Sequence, residues 1–464
     1  MSASVPILTC LLYWNLGTTT RAYEASALAS QLTRKAQFHV APMQGYTNSQ
    51  TRKLFHLLSP SSIKWTEMEK LDDIFPKTES PNYLIDALEK RLGPPSNCYD
   101  SKTNGANLVL QLGTNDPERL QACVKHTVER YDNIKEINLN FGCPAIESGG
   151  ASTSGASLMK DAVLTGELVK AARKGLDGIE RAGSSLPEIS IKCRIGVFDS
   201  DKDMRPLDNS DYEYLRKYIS TIHENGANHV ILHARPAILS GLSPVKNRIV
   251  PKLDYGFVER IASEFEGEVD ITLNGGITRL SQLRSFQEQS NSGSSVISSY
   301  MAGRWSLRRP LDLIGVEDLL KGDALESSSS LPRIQHAIEK YLDDAIRTAG
   351  STSSRTHVPT IAELCLPLFL ITEQLRDDYD FEEDDKRDGF ILEEERPMLT
   401  YDDIESLYDV VQDAVVQLEE LSNRGKKKKK KHGGDMNFKR LSSSFKSLVG
   451  NKVANKWKRN RAEL

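Results

Sequence analysis

"EINLNFGCPAIESGGASTSGASLMKDAVLTGELVKAARKGLDGIERAGSSLPEISIKCRIG", residues 136–196, opens on a short apolar alternation and passes through a Gly/Ser-rich loop. It then runs through an amphipathic stretch to a second apolar alternation. The outer segments repeat every second residue, the period of a strand, whereas "DAVLTGELVKAARKGL" repeats at three and four, the period of a helix. Strand, helix, strand in that order is the unit of a parallel sheet, whose neighbouring strands need a crossover between them.

The same unit recurs on both sides. Upstream stand "FHVAPM" with "SQTRKLFHLL", "IKWTEM", and "NLVLQLGT" with "DPERLQACVKHTVERY". Downstream stand "YEYLRKYISTIHENG", "HVILHAR" with "DYGFVERIASEFEG", "DITLNGGI" with "LSQLRSFQEQ", and "SVISSYMAG". Eight strands alternating with helices predict an α/β fold, a (β/α)8 TIM barrel over about residues 38–320. An open doubly wound sheet is the alternative, but the glycine-rich dinucleotide fingerprint is missing after the first strand.

The 464 residues exceed one barrel, so the rest falls into tails. Residues 1–37 are rich in Ser, Thr and Ala, hold one acidic residue, and carry an apolar patch from Val5 to Leu16. That composition suits a targeting segment for plastid or mitochondrion, or else a disordered extension of a cytoplasmic protein. Residues 330–464 are expected to form a helical region interrupted by an acidic, disordered insertion at about 350–432. Within it, residues 377–420 hold eighteen Asp/Glu against three Lys/Arg, whereas residues 424–464 hold fifteen Lys/Arg against two Asp/Glu, which the net charge of −4 conceals. The lysine run at 426–431 reads as a localisation signal or an RNA contact, and the segment after it spaces apolar residues at helical intervals among cations. No run approaches the roughly 20 apolar residues of a membrane span. The six cysteines form no CxxC pair or zinc-type cluster, so no metal site is expected and a reducing compartment fits best.

In a barrel, chemistry gathers at the C-terminal ends of the strands. The polar residues there are Met43, Glu67, Gln111, Asn140 with Cys143, Lys192 with Arg194, His233 with Arg235, Asn274, and Gly303 with Arg304. Any one of these could merely cap a loop; eight in register point to a ligand. "NGGI" (274–277) and "AGR" (302–304) end the last two strands with glycines that let backbone N–H groups approach a phosphate, beside the charge of Arg304. Lys192 faces inward, where a cation suits the anionic form of a reduced flavin. The alternative for Lys192 is a barrel ion pair with Glu67 or Glu136.

The motifs "APMQGYT", "TEM", "LQLGT", "INLNFGCP", "IKCRIG", "ILHAR", "LSGLSPVKNR", "PKLDY", "NGGI" and "AGR" together resemble the tRNA-dihydrouridine synthase family. The similarity is to the branch of bacterial A-type enzymes that act at D-loop positions 20 and 20a, and it covers about residues 38–320. The resemblance implies an FMN cofactor held by Pro42, Met43, Gln111, Lys192, His233, Asn274, Gly275, Gly276, Gly303 and Arg304. It implies a monomeric oxidoreductase that reduces the C5–C6 double bond of uridine in tRNA, with NADPH, or NADH in its place, as reductant. Cys143 becomes the proton donor to C5; an ordinary thiol titrates near ~8.5, so it is protonated at neutral pH yet able to release its proton. Asn140, Arg235, Lys246 and Arg248 become contacts to the tRNA, and the loop after Cys143 would close over an extruded base.

Two departures stand out. Glu147 occupies a neighbourhood where relatives carry a basic residue, and "SGGASTSGAS" is small and polar where they carry an aromatic. Other readings are therefore an FMN barrel oxidoreductase acting on a small molecule, and a tRNA-binding protein of this fold that has lost its activity.

Overall fold

The computed structural model describes residues 36–93, 107–144, 155–181, 185–322, 330–350 and 359–388, with scattered positions from 399 to 418. The expectations for residues 1–35, for Glu147 and the loop 145–154, and for the lysine run and basic segment after it lie outside the described residues.

The described residues form ten strands: β1 Gln37–Val40, β2 Ile63–Lys70, β3 Leu108–Gly113, β4 Ile134–Asn140, β5 Glu188–Arg194, β6 Val197–Ser200, β7 His229–His233, β8 Ala237–Ser240, β9 Asp270–Asn274 and β10 Ser299–Ala302. Eight close into a parallel barrel in the order β1-β10-β9-β7-β5-β4-β3-β2, and these are the eight that the sequence predicts. The other two, β6 and β8, pair with each other in parallel. They follow β5 and β7 directly, and a helical turn at Ala156–Lys160 packs against both.

Outside the barrel run α1 Ser49–Leu58, α2 Leu71–Ile74, α3 Pro81–Leu92, α4 Pro117–Arg130, α5 Ala162–Lys174, α6 Asn209–Glu224, α7 Tyr255–Glu264, α8 Leu280–Asn291, α9 Arg304–Arg308 and α10 Leu313–Lys321. Their starts are set locally. Asn48, Asp116, Asp161, Asp208 and Asp254 each accept a backbone N–H from the first turn of α1, α4, α5, α6 and α7. Each such cap stabilises its helix by about 1 kcal/mol and fixes where strand gives way to helix.

Alternate residues of the barrel strands point outward into a large core of Leu, Ile and Val packed under these helices. A separate cluster of Ala41, Ile63, Trp65, Val109, Ile231 and Met301 fills part of the barrel interior. The barrel interior is therefore filled at this level by packed side chains, and a ligand would be received above it, at the mouth.

Two further helices, α11 Ser330–Gly350 and α12 Ile361–Asp388, lean on α1. The second begins inside the segment expected to lack structure. "IAELCLPLFLITEQL" buries Leu364, Leu368, Ile371 and Leu375 at helical spacing, a stripe masked when the whole acidic window is averaged. A polar clasp fixes it to the barrel: Arg309 pairs with Asp378 at 2.5 Å, and Gln374 Oε1 accepts Leu311 N–H at 2.8 Å. Among the described residues, no helix is long and apolar enough to cross a membrane.

Candidate active site at the barrel mouth

Strand pairing lines up the predicted residues. Asn140 lies beside Lys192, Arg194 beside His233, His233 beside Asn274 and Asn274 beside Met301. One contiguous arc of the mouth thus carries most of them.

Cys143 sits just past β4, half-buried, and its position is held by backbone. Asn140 Oδ1 accepts the N–H of Gly142 at 3.2 Å and that of Cys143 at 3.1 Å. The far end of the following loop returns to the same point, with Gly155 N–H on Asn140 O at 3.2 Å and Ala156 N–H on Cys143 O at 2.8 Å. Gly155 has φ +93°, and a Cβ there would lie 2.4 Å from Cys143 O, so only glycine fits. The glycine-rich stretch is thereby tied at both ends to the cysteine.

Arg194, at the end of β5, fastens this segment to the one that follows β7. Its Nε donates to Gly142 O at 3.1 Å, while Nη1 donates to Pro236 O at 3.2 Å and Asn247 O at 3.1 Å. Burial, only partly offset by Cys143, lowers its pKa to about 10. Lys192 Nζ donates to Asn274 Oδ1 at 2.9 Å, and Asn274 Nδ2 donates to Met301 O at 2.9 Å. Burial first, then Arg194, lowers the Lys192 pKa to about 8. The alternative ion pair does not form: Glu67 is bonded to Gln44 and Glu136 to His229.

Next along the arc, Gly275 and Gly276 have φ +108° and +74°. A Cβ on Gly275 would lie 2.6 Å from His233 Cδ2, and one on Gly276 2.4 Å from Leu253 Cδ1. Tyr255 Oη donates to Gly275 O at 2.9 Å, which presents this backbone at a fixed angle. Gly303 meets β1 the same way, since a Cβ there would lie 3.1 Å from Met43 Sδ. Pro42 is half-buried between Ala41 and Met43.

The electrostatics of the mouth are one-sided. Arg194, Arg235, Arg248 and Arg304 are all shifted down, first by burial; on Arg194 and Arg304 other arginines rank among the further leading causes, and no carboxylate is prominent for any of the four. His233 is held well below its ordinary pKa by burial and by Arg194, Lys192, Arg235 and Arg304, so it is neutral at pH 7. Arg248 Nε is buried and makes no hydrogen bond among the described residues. Like charges gathered without a counter-charge among the described residues, an unspent donor and close-packed glycines fit an anionic, phosphorylated ligand.

Some predicted residues stand elsewhere. Gln111 is fully buried beneath the mouth, with both amide atoms bonded to Asn138 and Asn140, so one N–H remains for any ligand above it. Arg235 is turned onto the carbonyls of Ile249 and Pro251. Lys246 is exposed on the Lys246–Arg248 turn, while Arg248 on the same turn points into the mouth's cationic field. Asn247 between them is buried and locks the turn through Ile238 N–H at 2.7 Å and Ile238 O at 2.9 Å. Asn247 and Tyr255 lie inside the quoted stretches "LSGLSPVKNR" and "PKLDY", but neither was singled out there as a site residue. Asn138 could have been, since Glu136, Asn138 and Asn140 share one face of β4 by simple alternation.

The sequence pattern of the family described as "Dihydrouridine synthase" matches residues 39–387. Among curated relatives, a tRNA-dihydrouridine(20/20a) synthase of Shewanella oneidensis is 30% identical over 316 residues, covering 68% of this chain and 79% of its own length. The enzyme of that name from Escherichia coli is 32% identical over 311 residues, covering 66% of this chain and 76% of its own.

Proposed function

We propose that this chain, which belongs to the dihydrouridine synthase family, reduces the C5–C6 double bond of uridine in tRNA with FMN at the barrel mouth and NADPH as reductant. The positions named for its relatives, 20 and 20a, are the proposed targets. The observation that carries the reading is geometric: Cys143 N–H is held by Asn140 Oδ1 at 3.1 Å, Asn140 lies beside Lys192, and Arg194 Nε bonds Gly142 O, the residue before the thiol, at 3.1 Å.

When bound, FMN would supply the hydride that goes to C6 of the base. Cys143 gives the proton to C5, at a sulfur whose backbone is fixed by Asn140 Oδ1. Lys192, already oriented by Asn274, would hold the flavin and supply a cation to offset the negative charge it takes on when reduced. Gly275, Gly276, Gly303, Arg248 and Arg304 would receive the cofactor's phosphate, and Met43 and Pro42 would help hold it. His233, being neutral, donates or accepts a hydrogen bond there without adding charge. Asn140 has one Nδ2 hydrogen left for the base, and the exposed Lys246 meets the tRNA backbone.

Denaturing the purified chain and identifying the released chromophore tests the cofactor; comparing unmodified tRNA with free uridine as substrates tests the function. Release of FMN with dihydrouridine formed only in tRNA is expected. Turnover of free uridine at a comparable rate would favour a small-molecule oxidoreductase.

A further inference from the structure

Below the mouth, the barrel interior holds a chain of polar side chains that ends on Cys143. Starting there, Cys143 N–H donates to Asn140 Oδ1 at 3.1 Å, Asn140 Nδ2 to Gln111 Oε1 at 2.9 Å, and Gln111 Nε2 to Asn138 Oδ1 at 2.8 Å. Asn138 Nδ2 then donates to Ser190 Oγ at 2.7 Å, and Ser190 Oγ donates to Glu136 Oε1. The other carboxylate oxygen of Glu136 meets His229 Nδ1 at 2.9 Å. Beyond it His229 Nε2 bonds Thr272 Oγ1 at 2.7 Å, Thr272 bonds Ser299 at 2.7 Å, and Ser299 bonds His39 Nε2 at 3.1 Å. Trp65 Nε1 closes the far end on His39 Nδ1 at 3.1 Å.

The two ends of the first half dictate its direction. A backbone N–H can only donate, and an ionised carboxylate can only accept. With Cys143 N–H at one end and Glu136 at the other, every amide between them has one permitted orientation, with its nitrogen toward Glu136. Burial alone would neutralise both Glu136 and His229. Their mutual attraction reverses this, holding Glu136 below and His229 above their ordinary values, so the carboxylate stays ionised with His229 donating to it. Glu136, Ser190, Asn138 and Gln111 are all buried, so water does not compete for these positions.

We infer that Glu136, anchored by His229, is a positioning residue: through Ser190, Asn138 and Gln111 it orients the Asn140 amide so that its oxygen holds the backbone of Cys143. Without the carboxylate terminus the direction is held from the Cys143 end alone, and reversal of the amides is opposed only by the backbone N–H groups of Gly142 and Cys143. A reversed Asn140 would set an N–H against the N–H groups of Gly142 and Cys143, releasing the segment that carries the thiol. This rests on the reading of Cys143 as proton donor only for its effect on turnover; the effect on the backbone stands apart from it.

The test uses Ser190→Ala, which cuts the ladder by removing one hydroxyl, together with Glu136→Met and Glu136→Gln. A glutamine retains an oxygen for Ser190 and offers an N–H to a neutral His229, so it preserves the direction. In flavin-free protein, hydrogen–deuterium exchange of the peptide spanning Gly142 and Cys143 should be at least about tenfold faster in Ser190→Ala than in the parent. Glu136→Gln should recover most of the protection that Glu136→Met loses. In the flavin-loaded enzyme, reoxidation by tRNA should slow about tenfold in Ser190→Ala, while reduction by NADPH stays within about twofold. In a Cys143→Ala background, Ser190→Ala should add nothing further, because its effect passes through the cysteine. Unchanged exchange in Ser190→Ala overturns the proposal, whether or not Glu136→Met folds. Equal slowing of both half-reactions, or full additivity with Cys143→Ala, overturns it as well, leaving only a structural role. Should Cys143→Ala itself prove fully active, the proton-donor reading fails, while the exchange result still decides the ladder.

Discussion

Replacing Lys192 by methionine should weaken flavin binding and, in the flavin-free protein, leave the fold at least as stable. The ammonium is shifted from an ordinary 10.5 to about 8, first by burial and then by Arg194. Keeping it charged at pH 7 costs the native state about 3 kcal/mol at 1.36 kcal/mol per unit. A methionine of similar length removes that cost and gives up one hydrogen bond to Asn274, about 1 kcal/mol. The flavin-free variant should therefore gain up to about 2 kcal/mol. With FMN the sign inverts, because a charge-assisted bond to the reduced or polarised ring is worth about 1.5–3 kcal/mol, a tenfold to hundredfold loss of affinity. The pH dependence separates the two effects. Between about 8 and 10.5 the native protein holds fewer protons at Lys192 than the unfolded chain, so parent stability rises with pH across that window, while its affinity for FMN falls. Lys192→Met should show neither trend. Thermal melts of the flavin-free proteins and FMN titrations from pH 7 to 9.5 make the comparison. A variant that binds FMN as well as the parent, or that melts well below it without flavin, would refute the reasoning.

Cys143→Ala should still bind FMN but form dihydrouridine about 10²- to 10⁴-fold more slowly, read by single-turnover assay on tRNA. Gly276→Ala places a Cβ 2.4 Å from Leu253 Cδ1 and 2.5 Å from Tyr255 Oη at φ +74°, so it should lose bound flavin through about 1–2 kcal/mol of local strain. Normal flavin content in that variant would show that the 274–277 turn is not a phosphate cradle. Lys246→Ala should weaken tRNA binding and flatten its salt dependence by about one unit, with flavin reduction unchanged, as measured by filter binding at several ionic strengths.

The barrel was legible because period-2 and period-3.6 stretches alternate eight times, and the mouth because strand-end residues follow from that register. Lys192, Asn274 and Gly275 therefore stand where the pattern puts them. Three things were not legible. The pair β6 and β8 comes from four-residue stretches too short to show a period. Helix α12 was hidden because the acidic residues after 377 outweigh the apolar stripe from Leu364 to Leu375 in any average over the whole segment. The placement of Gln111 and Arg235 depends on partners far along the chain, Asn138 and Asn140 for one and the carbonyls of Ile249 and Pro251 for the other. A strand-end polar residue marks the neighbourhood of a site, and only packing decides whether it faces the ligand or braces a residue that does.

Incubating the purified chain with FMN, NADPH and unmodified tRNA, and mapping dihydrouridine along the product, bears most directly on what the barrel mouth does. Dihydrouridine confined to D-loop positions 20 and 20a, dependent on NADPH and lost in Cys143→Ala, is the predicted result. Tight tRNA binding with no dihydrouridine at any position, from protein that carries FMN, would contradict it.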